Sequence, residues 1–244
     1  MPLLLRVDVD NAFVPLRNNK LLNFIELSLN YLNENFWAPK FNFIGYNKAF
    51  QEFIRDIDEI GVTASIFFKY ITIPSENLSD HLLKRKFELG LHLLSAATYR
   101  DFIKEKVRVE SRLKTKLYGF SKHGDGEKKL SRRHAWRYEP QKYIEWGLSS
   151  GLCYFSGNEH GVTSPVVRYN NFFFFQKVFY IEPWARKIKA TTSQVIDYAN
   201  SDYTVIALIH PSNYLRRSSA RYEFEKIINK VDKILTIKDF ISTL

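Results

Sequence analysis

The sequence predicts an α/β fold of repeated β-then-α units arranged as a parallel sheet or barrel, and three features of its 244 residues carry that prediction. Short apolar runs alternate with stretches in which apolar residues recur every three or four positions, the pattern of strands followed by amphipathic helices. The length suits one α/β barrel with a sizeable core, so a single domain over residues 1–244 is expected. The opening run Leu3-Leu4-Leu5-Arg6-Val7 ends in Asp8-Val9-Asp10, and alternate side chains of a strand share a face, so both acids project from its C-terminal end. That end is where α/β sheets and barrels place their chemistry. Such a pair can hold a metal, share a proton, or merely cap the next segment through a turn with Asn11.

The remaining elements follow in order. Residues 21–36 and 50–60 carry helical spacing, the second closing at Gly61. Residues 62–68 read as a buried strand, 77–87 as a helix, 88–92 as a short strand, and 99–117 as an exposed helix with Glu110 and Lys114 at i,i+4. Tyr118-Gly119-Phe120 opens another strand. Pro140 starts a helix through Gly147, and short β segments follow, of which 172–175 and 178–181 are the most strand-like. Residues 193–200 read as helix, 203–209 as strand, 222–234 as helix and 237–244 as a closing helical turn. The stretches 121–139 and 156–170 read as long loops, and long loops in a compact domain usually carry function or disorder.

Composition narrows the class of protein. The lone Cys153 excludes an internal disulfide framework and a cysteine-rich zinc site, and its apolar setting reads as a buried thiol. The first strand begins within three residues of Met1, which leaves no room for a signal peptide, and no apolar run reaches the roughly 18 residues of a membrane span. A cytoplasmic protein without a membrane span is expected. A net charge of +10 favours anionic partners. The densest basic segment, residues 128–137, interleaves Trp136 with cations as nucleic-acid surfaces do, but no nucleic-acid module surrounds it, so a solvated loop is the reading and nucleic acid is not an expected partner. The aromatic share of 16% suits a groove that stacks on sugar rings, for which Trp136, Trp184 and Tyr154 are candidates, although packing is the commoner use of each.

Three histidines share the strand-end position of the two acids. His92 ends Glu88-Leu89-Gly90-Leu91-His92, and His210 follows Thr204-Val205-Ile206-Ala207-Leu208-Ile209 and precedes Pro211, which biases it towards extended backbone. His123 lies in Ser121-Lys122-His123-Gly124-Asp125-Gly126, a Gly-bracketed turn in which Asp125 orients the imidazole or simply forms the turn. Any one histidine is more often a structural residue. Three histidines and two aspartates, all just beyond strand ends, point to a site. Arg6 shares the face of Asp8 and Asp10, where it would orient a carboxylate or form a structural ion pair.

In the order of these motifs the chain resembles the polysaccharide deacetylase family, the NodB-homology family or carbohydrate esterase family four. Arg6-Val7-Asp8-Val9-Asp10 looks like its aspartate motif, Gly61-Val62-Thr63-Ala64-Ser65-Ile66-Phe67-Phe68 like the strand that follows, and Glu88-Leu89-Gly90-Leu91-His92 like its histidine motif. Tyr118-Gly119-Phe120-Ser121-Lys122-His123-Gly124 occupies the place of the third motif, and Leu208-Ile209-His210-Pro211 looks like the late histidine motif. The resemblance implies a distorted (β/α)7 barrel and hydrolysis of an acyl amide, usually N-acetyl, on a sugar or glycan precursor. It also implies a divalent metal, zinc first among them, held by one Asp and two His. Carried over by position, Asp8 is the base, Asp10 and His92 are metal ligands and His210 is the acid that protonates the leaving amine. The family's second metal histidine would fall at Ala96, and an Asp with one His is a poor zinc site, so His123 is the substitute third ligand. The alternative is a noncatalytic barrel that binds carbohydrate or another anionic partner.

Overall fold

Seven parallel strands close on one another into a barrel. The structure, a computed structural model, describes residues 1–14, 20–35, 45–94, 96–124 and 138–244. The strands are β1 (Leu3–Val9), β2 (Ser65–Phe68), β3 (Glu88–Leu93), β4 (Gly119–Lys122), β5 (Tyr154–His160), β6 (Val166–Tyr169), β7 (Phe172–Tyr180), β8 (Val205–Ile209) and β9 (Ile234–Leu235). The ring runs β1, β2, β3, β4, β5, β7, β8 and back to β1. Strand β6 lies antiparallel on β7, and β9 adds to the start of β1. The helices are α1 (Lys20–Asn35), α2 (Lys48–Glu59), α3 (Glu76–Lys84), α4 (Tyr99–Leu113), α5 (Pro140–Ser150), α6 (Thr192–Ala199), α7 (Pro211–Arg216), α8 (Ser218–Ile228) and α9 (Ile237–Ile241).

The alternation of β1 divides the core into two layers. Leu3, Leu5, Val7 and Val9 face outward and pack with Phe50, Phe53, Ile54 and Ile57 of α2 in the larger apolar cluster. Leu4 faces inward with Phe67, Tyr154, Phe175, Ile206 and Leu208, and α9 closes this inner layer with Ile237, Phe240 and Ile241. The barrel interior is therefore mostly apolar near the start of β1, a buried exception being Glu88, which accepts from Ser65, Tyr154 and the backbone N–H of Lys238. Arg6 and Asp8, next on the inward face, are both buried and begin the polar half. Gly119 is required by this filling, since a Cβ there would stand 2.1 Å from the ring of Tyr154.

Several expectations change in detail. The stretch 156–170 is not a loop: most of β5 and all of β6 lie in it. The two segments 172–175 and 178–181 form the single strand β7. Helix α4 ends at Leu113 because Lys114 adopts left-handed backbone, so Glu110 pairs with Lys106 at 3.0 Å, while Lys114 reaches Glu76 on α3. Helix α8 starts and stops earlier than 222–234, and α7 is an added helix with Pro211 in its first turn. Cys153 is half-buried rather than enclosed. Asp125, Trp136 and the basic segment 128–137 lie outside the described residues. Among the described residues no helix is long and apolar enough to cross a membrane.

Candidate metal centre

Because all seven ring strands are parallel, their C-terminal ends meet at one mouth. Asp10 follows β1, His92 lies near the end of β3, His123 follows β4 and His210 follows β8. With Asp8 they line one cavity of about 440 Å³, within the range of small-ligand pockets. Asp10, His92 and His123 each offer a donor atom, and these atoms lie within 4.8 Å of one another. Asp10 Oδ1 stands 2.9 Å from His123 Nδ1 and 3.1 Å from His92 Nε2. Ligands 2.0–2.2 Å from a tetrahedral zinc stand roughly 3.3–3.6 Å apart, so the spacing is close to what such an ion needs.

The donor set also carries the deficit that a cation would fill. His92 Nε2 is buried without a hydrogen-bond partner, and it faces an Asp10 Oδ1 around which His123 Nδ1 and Lys69 Nζ also stand, at 2.9 and 3.0 Å. Buried polar groups are seldom left so. The residues present therefore fit a divalent metal. His92 is oriented from β4, where Ser121, its register partner, places Oγ 2.7 Å from His92 Nδ1 and leaves Nε2 facing Asp10. Ala96 offers nothing here: it is buried in the apolar cluster outside the barrel.

Each remaining charged group has a specific partner. Arg6 Nε and Nη2 donate to Asp8 Oδ1 and Oδ2 at 3.0 and 2.7 Å. Its other donors reach Gly157 O, Ser156 O and Oγ, and Asn158 Oδ1 on β5. The buried guanidinium is thus fully satisfied and fixes the plane of the Asp8 carboxylate. Burial opposes ionisation of Asp8, but the Arg6 charge, followed by His92, outweighs it and holds the carboxyl below its ordinary value. Burial likewise opposes ionisation of Asp10, and the neighbouring His123 and Lys69 outweigh it, leaving its carboxyl well below the carboxylate range. Burial pushes both His92 and His123 down, the latter to about 3, so these imidazoles are neutral at neutral pH and have a lone pair to offer.

His210 is different. Burial would lower it, but Glu182, wholly buried just past β7, more than compensates and raises it to about 9. Glu182 Oε1 accepts from His210 Nδ1 at 2.7 Å, from the His210 backbone N–H at 2.8 Å and from Asn213 Nδ2 at 3.3 Å. His210 Nε2 then faces Asp10 Oδ2 at 3.4 Å, on the cavity side. The arrangement holds a positively charged imidazole beside an ionised Asp8, one group able to give a proton and the other to take one.

Sequence reasoning missed Glu182 and Lys69. Lys69 directly follows β2 and is buried, and its Nζ lies 3.0 Å from Asp10 Oδ1. Both residues obey the strand-end rule that found the histidines, each being the charged residue next after an apolar strand. Of the proposed sugar-stacking residues, Tyr154 is inside the barrel, donating to Glu88 Oε1 at 2.7 Å, and Trp184 is exposed with Arg217 4.3 Å above its ring.

The closed ring of seven parallel strands with its outer helices is a distorted (β/α)7 barrel, the fold that polysaccharide deacetylases have. Solved structures of that type resemble it at low sequence identity. A probable polysaccharide deacetylase from Pseudomonas aeruginosa PAO1 superposes with a TM-score of 0.62 at 10% identity, covering 99% of this chain and 89% of that one. A family 4 acetyl xylan esterase from Clostridium thermocellum, solved with a cobalt ion, gives 0.51 at 10% identity over 100% and 91%. A mutant of a family 4 pseudoenzyme from Bacillus anthracis, with restored enzymatic activity, gives 0.51 at 11% identity over 98% and 67%. No family model and no curated protein matches the sequence. These likenesses establish the distorted (β/α)7 barrel fold.

Proposed function

We propose that the protein is a divalent-metal-dependent hydrolase that removes an acyl group, N-acetyl in the first instance, from a sugar or glycan precursor. The observation that carries this reading is the convergence of Asp10, His92 and His123 beside Asp8 and the Glu182-supported His210 in one cavity. A divalent ion such as zinc held by Asp10, His92 and His123 would supply Lewis acidity and lower the pKa of water. Asp8, kept anionic and oriented by Arg6, accepts the proton of the attacking water. His210, kept protonated by Glu182, gives its proton to the departing amine. The fold is shared by proteins named as deacetylases and an acetyl xylan esterase, and a fold alone does not choose a reaction, so the weight rests on the residues.

A noncatalytic barrel binding carbohydrate is the second reading, and Lys69 favours it by bringing a cation to the same carboxylate. Elemental analysis of protein purified without chelators or a metal-affinity tag, followed by an acetate-release screen over N-acetylated sugars, separates the two. Near-stoichiometric zinc or a similar ion with acetate release supports the hydrolase. Failure to take up metal when it is supplied, with no acetate released, rejects it.

A further inference from the structure

Lys69 is a feature of this centre that neither the proposed metal ligands nor the proposed acid–base pair requires. Its Nζ donates to the backbone carbonyl of Asp10 at 2.9 Å, lies 3.0 Å from Asp10 Oδ1 and is 3.3 Å from His123 Nε2. An ammonium has three N–H donors and no acceptor, and these three neighbours are acceptors that can engage them. Lys69 does not line the cavity but sits behind the cluster, at the end of the strand beside β1. It therefore acts on Asp10 and His123 rather than on a substrate.

The contact with His123 has a consequence for the other side of that ring. A neutral imidazole has one lone pair and one N–H. If Nε2 accepts from the Lys69 ammonium, the proton must sit on Nδ1, and Nδ1 is the atom 2.9 Å from Asp10 Oδ1, facing the position a metal would take. A metal at Nδ1 needs the opposite tautomer, which turns an N–H towards the ammonium. Lys69 also shares Asp10 Oδ1, the oxygen nearest both imidazoles. The same ammonium thus opposes the metal at two of its three donors and adds a like charge near it.

We infer that Lys69 is a built-in cation that competes with the metal for Asp10 and His123, so that this centre binds a divalent ion more weakly than its donor set alone would allow. The inference rests on the metal-centre reading above and adds a regulator of occupancy: the ion is held only when its supply is high enough to displace the ammonium.

The test is the affinity of the full-length protein for Zn²⁺ alone, measured by chelator competition and by calorimetry, for the wild type and for Lys69→Met, which keeps the apolar stem and removes the charge. Circular dichroism and thermal melting report on folding, and Lys69→Gln decides the matter if the methionine variant does not fold. Removing the charge should tighten Zn²⁺ binding by about tenfold or more, while Lys69→Arg should leave binding weak. Nitrogen chemical shifts of His123 in the metal-free wild type should show the Nδ1–H tautomer. Equal or weaker Zn²⁺ binding by the neutral variants, with the wild type binding, would overturn the competition and leave the metal centre standing, Lys69 then being a supporting residue. Absence of Zn²⁺ binding in every folded variant would overturn both.

Discussion

The pair formed by Glu182 and His210 gives the sharpest quantitative expectation. In Glu182→Gln the carboxylate that faces His210 Nδ1 at 2.7 Å is replaced by a neutral amide of nearly the same shape. Holding the imidazole at about 9 instead of its ordinary 6.5 corresponds to roughly 3 kcal/mol of preference for the imidazolium in the folded protein. The raised value stabilises the fold fully below the unfolded value of 6.5, and that contribution is lost as the pH rises through about 9. Glu182 is held below its ordinary value, against its own burial, by the His210 charge, so it stays ionised across this window. The variant should therefore be less stable than wild type by roughly 3 kcal/mol at about pH 7, and the gap should close by about pH 10. The assay is urea denaturation of metal-free protein at both pH values, together with proton NMR titration of the His210 ring. In the variant the ring should titrate about 2 pH units lower, and the alkaline limb of kcat/KM should move down with it. A wild-type ring that titrates near 6.5, or one that Glu182→Gln does not move, would refute the assignment of His210 as a preset acid.

Five further outcomes are expected. Asp10→Asn should abolish metal uptake, read by elemental analysis, with the melting curve retained, and His123→Ala should weaken uptake without abolishing the fold. His210→Asn should lower kcat/KM for the acyl substrate by about 10²–10⁴-fold while metal content is unchanged, the size usual for loss of one general acid. Arg6→Met removes both of the arginine's hydrogen bonds to the buried Asp8 carboxylate and should cost about 3–5 kcal/mol in chemical denaturation. Ala96→His, which would restore the family's second histidine, should instead destabilise the fold by about 1–3 kcal/mol and leave metal affinity unchanged, because Ala96 is packed in the outer apolar cluster rather than at the mouth.

What could be read from the sequence divides along a physical line. Strands β1, β2, β3 and β8 were legible because both faces are buried, so each reads as a continuous apolar run ending where the chemistry begins. Strand β5 was not, since Ser156, Gly157, Asn158 and Glu159 break the apolar run where the strand enters the mouth: Asn158 accepts from Arg6, and Ser156 and Gly157 hold the same guanidinium. A strand that lines a polar site loses the hydrophobic period by which strands are recognised. Tyr154 failed in the opposite sense, its ring spent on filling the barrel rather than on stacking at the surface. Lys69 and Glu182 were within reach of the strand-end rule, but composition does not distinguish a charged strand end that closes onto a site from one that meets solvent.

The partners of the three carboxylates explain why this centre can exist as a folded arrangement before anything binds to it. Buried charges are costly unless paired. Asp8 is met by Arg6, Glu182 by His210, and Asp10 by Lys69, each from an element that ends at the same mouth. The first two pairings leave His210 protonated and Asp8 ionised, the states that the proposed hydrolysis needs. The third neutralises the carboxylate of the proposed metal ligand set, and does so with an ammonium that stands 3.3 Å from His123 Nε2. The stability of the apo centre and its affinity for metal are thus set against each other at Lys69. Lys69→Met should lower the melting temperature of metal-free protein, by leaving Asp10 without its ammonium, and recover that loss when Zn²⁺ is added, since a ligand that binds only the folded state stabilises it in proportion to its affinity. A variant as stable as wild type without metal, and no better stabilised by Zn²⁺, would show that the ammonium and the ion do not share this carboxylate.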